Sequence, residues 1–156
     1  LFMRRMAELT HTREVAARDA SMPEQELPPG VSVYEIAGAL FFGAARNATS
    51  TLSNVHADVR VLVVDLGRVP VIDVTGLVAL EGMVADMARQ KCRVVLAGPL
   101  PEPRSVFDRA HLGDASIVGS RAEALELATR LAADGNDERT PRPHGGSAPP
   151  SPKPSA

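Results

Sequence analysis

The sequence has no tryptophan, one tyrosine and four phenylalanines, so aromatic residues make up only 3% of its 156 positions. Platforms that stack single-stranded bases need aromatic side chains, and a duplex-binding surface needs a dense basic footprint. The formal net charge is -2 and no block of Lys and Arg occurs, so nucleic acid is not an expected partner. The single cysteine, Cys92, excludes an internal disulfide and a thiolate zinc cluster. Beside the apolar run Val94-Val95-Leu96 it reads as a small, semi-buried residue at a strand edge. The four histidines, His11, His56, His111 and His144, fall in four different segments and make no metal-ligand spacing. No stretch approaches the roughly 20 apolar residues of a membrane span, and no signal-peptide pattern is present.

The usual catalytic arrangements are also missing. A serine nucleophile needs a recognisable elbow or a paired base, and none is found. Gly38 to Gly43 holds two glycines but lacks the third glycine and the Lys-Ser/Thr pair of nucleotide-binding loops. Asp65 and Asp73 lie close enough in sequence to converge as paired carboxylates, yet no further carboxylate or histidine cluster accompanies them. The expectation is a chain that is not an enzyme and carries no cofactor or metal.

What is present is a regular alternation of aliphatic runs. Residues 1–27 read as a linker or lone helix, ended by Pro23, Pro28, Pro29 and Gly30. The domain proper spans 28–133. Val31–Ile36 has strand character; Gly38 breaks it, and Ala39–Phe42 reads as a second strand, antiparallel to the first through a tight turn at Ala37-Gly38. Ala44, Ala45, Ala48, Leu52 and Val55 recur at helical spacing. Val61-Leu62-Val63-Val64 has no polar alternation and predicts a strand buried on both faces.

Past a loop, Leu77, Leu80, Val84 and Met87 form the inward stripe of a helix. Arg93–Ala97 is another buried strand, Pro101 opens a short helix, and Ser116–Val118 is an edge strand. Ser120 with Glu123 makes a capping box ahead of a last helix with Ala124, Leu125, Ala128 and Leu131 inward. The order ββαβαβαβα predicts an α/β fold with a mixed, mainly parallel sheet and flanking helices. From Asp134 to Ala156, prolines and turn formers replace aliphatic residues, which predicts a disordered tail.

The loop Asp73-Val74-Thr75-Gly76 is the most distinctive candidate site, placed where open α/β sheets carry their working residues. Asp73 sits where its carboxylate accepts the free amides of the first helical turn. Thr75 places a hydroxyl at the positive end of that helix, where a phosphate would be partly stabilised. Gly76 is open to two readings: close packing of its backbone, or a surface kept bare for a partner.

Two segments carry a resemblance to a known family. Val33 to Ala45, containing Gly38, Leu40, Phe41, Phe42 and Gly43, and Val61–Leu66 followed by Pro70 to Leu77, resemble a STAS domain, a family joining sulfate transporters with anti-sigma factor antagonists. The run Gly38-Ala39-Leu40-Phe41-Phe42-Gly43-Ala44-Ala45 looks most like the cytoplasmic C-terminal domain of bacterial SulP anion transporters of the sulfate permease type. The start Leu1-Phe2-Met3-Arg4-Arg5, without an initiator methionine, fits a chain cut just after its last span.

This resemblance implies a regulatory domain at the cytoplasmic side of the inner membrane, partnered with the membrane domain of its own chain. It also brings a homodimer, acyl carrier protein or a nucleotide into view as partners, and sulfate, bicarbonate or a dicarboxylate as the transported anion. The alternative branch is a soluble anti-sigma factor antagonist switched by phosphorylation. There, Asp73, Thr75 and Gly76 match the loop aspartate, the phosphoacceptor and the following glycine, with threonine and Val74 departing from the Asp-Ser-Ser-Gly pattern.

Overall fold

The computed structural model describes residues 11–14, 27–41, 45–47, 50 and 58–137. Five strands form one sheet in the order β1 (His11–Glu14), β2 (Val31–Ala37), β3 (Val61–Arg68), β4 (Arg93–Ala97) and β5 (Ser116–Val118). The pairs β2–β3, β3–β4 and β4–β5 are parallel, and β1 is antiparallel to β2. Three helices complete the described elements: α1 (Val74–Arg89), α2 (Pro101–Phe107) and α3 (Arg121–Asp137). Residues 45–47 and 50 are helical as well, and the remainder of the helix expected around them lies outside the described residues. The architecture is the predicted α/β one, with parallel crossovers carried by helices.

Alternation along the strands divides the core into two layers. Leu62, Val64 and Leu66 of β3, with Ile36 and Leu96, meet Leu80, Met83, Val84 and Met87 of α1 and Phe107 of α2. Val61 and Val63, with Val31, Val33, Val95 and Ala97, meet Ala124, Ala128 and Ala132 of α3. Because both faces of β3 are covered, Val61–Val64 are fully buried, as their lack of alternation predicts. Full burial of each large aliphatic side chain contributes about 1.5–3 kcal/mol. The three alanines spaced by four residues on α3 leave a low ridge that lets this helix sit close to the sheet.

Helix α1 ends in a paired hydrogen-bond pattern that closes its last turn. Lys91 N–H donates to Ala88 O at 3.0 Å and Cys92 N–H to Met87 O at 2.9 Å, the two bonds of a Schellman stop. Buried Cys92 and Met87 supply the accompanying apolar contact. Lys91 holds the left-handed position of this motif, at φ 58°. At the start of α3, Glu123 N–H donates to Ser120 Oγ at 3.2 Å. The reciprocal arm falls one residue early, with Gly119 N–H donating to Glu123 Oε2 at 3.0 Å.

Three expectations are corrected. Ala39–Phe42 is not the return strand of a hairpin. The chain keeps its direction past a bulge between Glu35 and Ala37: Gly38 N–H donates to Arg68 O at 2.9 Å, Leu40 N–H to Val71 O at 3.0 Å, and Leu40 makes a lone parallel bridge to Ile72. Continuing forward buries Leu40 completely beneath the start of α1, a burial that a reversal toward the edge would forfeit. The edge is taken instead by His11–Glu14, within the segment read as linker or helix, which pairs with Tyr34–Ala37. Finally, α3 runs on to Asp137, through the first four residues assigned from composition to the tail. The rest of that tail lies outside the described residues.

Candidate functional site

The candidate loop leaves the end of β3 through a turn in which Gly67 N–H donates to Asp65 Oδ1 at 2.9 Å and Val69 N–H to Leu66 O at 3.0 Å. Val69 and Ile72 are buried, so the loop is anchored at two apolar points and hands the chain to α1 in a fixed direction. Asp73 stands at the N-cap with extended backbone, φ -93° and ψ 176°. Its Oδ1 accepts from Gly76 N–H at 2.7 Å and from the Thr75 hydroxyl at 2.7 Å. The capping role predicted for Asp73 is thus present in the geometry, and one carboxylate oxygen fixes both the first turn and the side chain of Thr75.

Gly76 is resolved in favour of close packing. A Cβ built on it would lie 2.1 Å from the carbonyl oxygen of Leu40 and 3.0 Å from Ile72 Cγ1. Backbone from the segment after β2 therefore lies directly against the first turn of α1, and only glycine leaves room for it. This contact joins the two segments that carry the family resemblance. Of the first segment's signature residues, Gly38 takes φ 101° and Leu40 forms the bridge and the packing contact. Phe41 O accepts from Ala45 N–H at 2.7 Å. Phe42 and Gly43 lie outside the described residues.

The outward face of the loop is apolar and bare. Val74 is 75% exposed and Val78, one turn on, is 59% exposed, with exposed Thr75 between them. Both valines lie off the inward stripe of α1, so neither contributes to the core. Sequence reasoning missed Val78, although its position four residues after Val74, off the inward stripe, is the signal that identifies it.

Asp65 and Asp73 do not form a carboxylate pair. Asp65 lies on the α3 side of β3 and faces Arg121, with Arg121 Nη1 to Asp65 Oδ2 at 3.8 Å, whereas Asp73 caps α1 on the other side. His111 is exposed beyond α2, and His56 and His144 lie outside the described residues. Among the described residues no group of His, Cys, Asp and Glu is arranged to hold a metal ion, and no helix is long and apolar enough to cross a membrane. Burial pushes the Cys92 thiol up from 9.0 to about 11, against a smaller opposing effect of a backbone hydrogen bond with Leu62, which keeps it in the protonated, weakly nucleophilic form.

The model of the STAS domain family matches residues 22–124, a span that includes the loop, the Leu40 contact and all three flanking crossovers. No curated protein matches the chain significantly. Among solved structures, a sulfate transporter family protein from Wolinella succinogenes is 27% identical with a TM-score of 0.64, covering 74% of this chain and 99% of that one. The SulP transporter STAS domain from Vibrio cholerae is 23% identical with a TM-score of 0.55, covering 78% and 94%. An anti-sigma factor antagonist from Mycobacterium paratuberculosis is 21% identical with a TM-score of 0.56, covering 76% and 93%. The second and third of these likenesses are likenesses of fold.

Proposed function

This chain belongs to the STAS domain family, and from that premise we propose that it is the non-catalytic, cytoplasmic regulatory domain of a SulP-type secondary anion transporter in the inner membrane, for sulfate, bicarbonate or a dicarboxylate. The observation that carries this reading is the 27% identity to a sulfate transporter family protein over 99% of that protein's length. The forward-running Gly38–Phe41 segment supports it, because Leu40, within the run that resembles the transporter branch, lies with its carbonyl against Gly76 at the start of α1. On this reading the domain acts by contact. Val74, Thr75 and Val78 form the face offered to the membrane domain of the same chain, and movement of α1 would pass through Gly76 and Leu40 into the sheet.

The test is the reading frame upstream of Leu1. Several apolar stretches of about 20 residues each support the proposal, and a start codon within a few residues of Leu1 overturns it. In the full-length protein, cysteine introduced at Val74 or Val78 is expected to cross-link to the membrane domain.

One observation favours a second reading, a soluble antagonist switched at Thr75: the Thr75 side chain is exposed at the N-terminus of a helix, next to its capping aspartate. A phosphate there would bring about -1.5 to -2 charges beside Asp73 and take away the hydroxyl's bond to it. Incubation with an anti-sigma kinase and ATP, followed by mass spectrometry of the Thr75 peptide, decides this reading; an unmodified peptide excludes it.

A further inference from the structure

At the opposite end of the sheet, where β3, β4 and β5 begin, the chain forms a cleft of about 650 Å³. Val84 of α1 and Leu131 of α3 provide apolar walls, and Ser116 adds a hydroxyl. Arg60, Lys91 and Arg93 bring three cationic side chains to it against one carboxylate, Asp114. Three positive groups less one negative leaves a lining of +2 in a chain whose formal net charge is -2. Arg60 is steered there by Nη1 donating to Ala132 O at 3.4 Å. Among the described residues no ion pair engages Lys91 or Arg93.

The backbone supplies a separate argument for Lys91. It occupies the left-handed position of the helix stop at φ 58°, where glycine is the usual residue because a side chain is disfavoured. A cation near the end of α1 also suits the helix dipole, but Arg89 already supplies one in the last turn. Lys91 therefore stands at a conformationally costly place in the same cleft lining as Arg60 and Arg93, and strained positions of this kind point to use.

We propose that this cleft binds a small organic phosphate monoester, its apolar body against the half-buried Leu131 and its phosphate held by Lys91, Arg93 and Arg60. The volume falls within the usual range for small-molecule sites, about 300–1,000 Å³. A monoester carries about -1.5 to -2 charges near neutral pH, which matches the +2 of the lining. Arginine pairs with phosphate through two parallel N–H donors, and lysine acts as a point charge. The site is on the far edge from Thr75 and does not depend on which branch of the family the chain serves.

The experiment is an amide NMR titration of the whole chain with phenyl phosphate, with inorganic phosphate and phenol as the two halves of the probe. Phenyl phosphate is expected to give saturable shifts at residues 91–94 and 114–116, with binding weakened by salt and tighter than either half alone. Lys91→Gly removes the ammonium while suiting the backbone, so its melting temperature should not fall below the parent's, yet affinity should drop by about tenfold. Arg93→Ala should act similarly. Absence of saturable shifts, shifts confined to the Thr75 edge, equal binding of phenol, or undiminished affinity in the Lys91→Gly and Arg93→Ala variants would each overturn the proposal.

Discussion

Replacing Gly76 by alanine is the sharpest test of the contact between the segment after β2 and α1. The added Cβ would sit 2.1 Å from Leu40 O and 3.0 Å from Ile72 Cγ1, and the nearer atom is backbone, with no flexible side chain to swing away. Relief requires moving either the first turn of α1, with its Asp73 cap, or the Leu40–Ile72 bridge. Overpacking of this kind costs about 1–3 kcal/mol, and loss of the Leu40 N–H bond to Val71 O adds about 1 kcal/mol. Against this stands the better helix propensity of alanine, about 0.8–1.0 kcal/mol.

The balance is a net destabilisation of about 1–3 kcal/mol, read by urea unfolding. Gly82, two turns along the same helix, provides the control. A Cβ there meets nothing within 4 Å, so Gly82→Ala keeps only the propensity gain and should stabilise by about 0.5–1 kcal/mol. If both substitutions shift stability in the same direction, the close approach at Gly76 is not what holds the site together.

Asp73→Ala should cost about 0.5–2 kcal/mol in chemical denaturation, while Asp73→Asn, which keeps an accepting oxygen, should cost less; a change near zero for alanine would assign Asp73 to partner contact instead. Val74→Ser with Val78→Ser should leave stability within about 0.5 kcal/mol, because both side chains are exposed, and should weaken cross-linking to the membrane domain through a cysteine introduced at Thr75 in the full-length protein. Cys92 gives a pH dependence of defined sign. Its folded thiol is raised from 9.0 to about 11, so its neutral form favours the folded state fully below pH 9, and that contribution, about 2–3 kcal/mol, is lost as pH rises to 11. Unfolding curves of the parent should fall more steeply over this window than those of Cys92→Ala.

The buried strands were legible because their physics is local. Val61–Val64 and Val94–Leu96 cannot be exposed on either side, and the stripe from Leu80 to Met87 fits one helical face. Asp73 could likewise be assigned as a cap from its position alone. What sequence could not reveal was decided at a distance. His11–Glu14 has no apolar alternation, and it becomes a strand only because β2 offers it unpaired backbone groups. Ala39–Leu40 looked like a hairpin return since Gly38 permits a turn, but burial of Leu40 against Ile72 and Gly76 favours going straight on.

From Val61 onward the alternation of strands and helices is the predicted one, whereas the strand expected at Ala39–Phe42 is absent and His11–Glu14 is a strand where none was expected. The cleft at the far edge was invisible for a similar reason. Arg60, Lys91 and Arg93 belong to segments that only the parallel register draws together.

The antiparallel pairing of His11–Glu14 with Tyr34–Ala37 bears on how the chain can be cut. A fragment trimmed to the family boundary at residue 22 would keep all the described helices and parallel strands but lose the described flanking strand. The outer hydrogen-bonding groups of Tyr34–Ala37 would then be unpaired beside a fully formed sheet, a template for the same strand of another molecule. Such a fragment should dimerise or aggregate edge to edge as its concentration rises, so size-exclusion behaviour measured on it would report the missing four residues and not an oligomeric state of the protein.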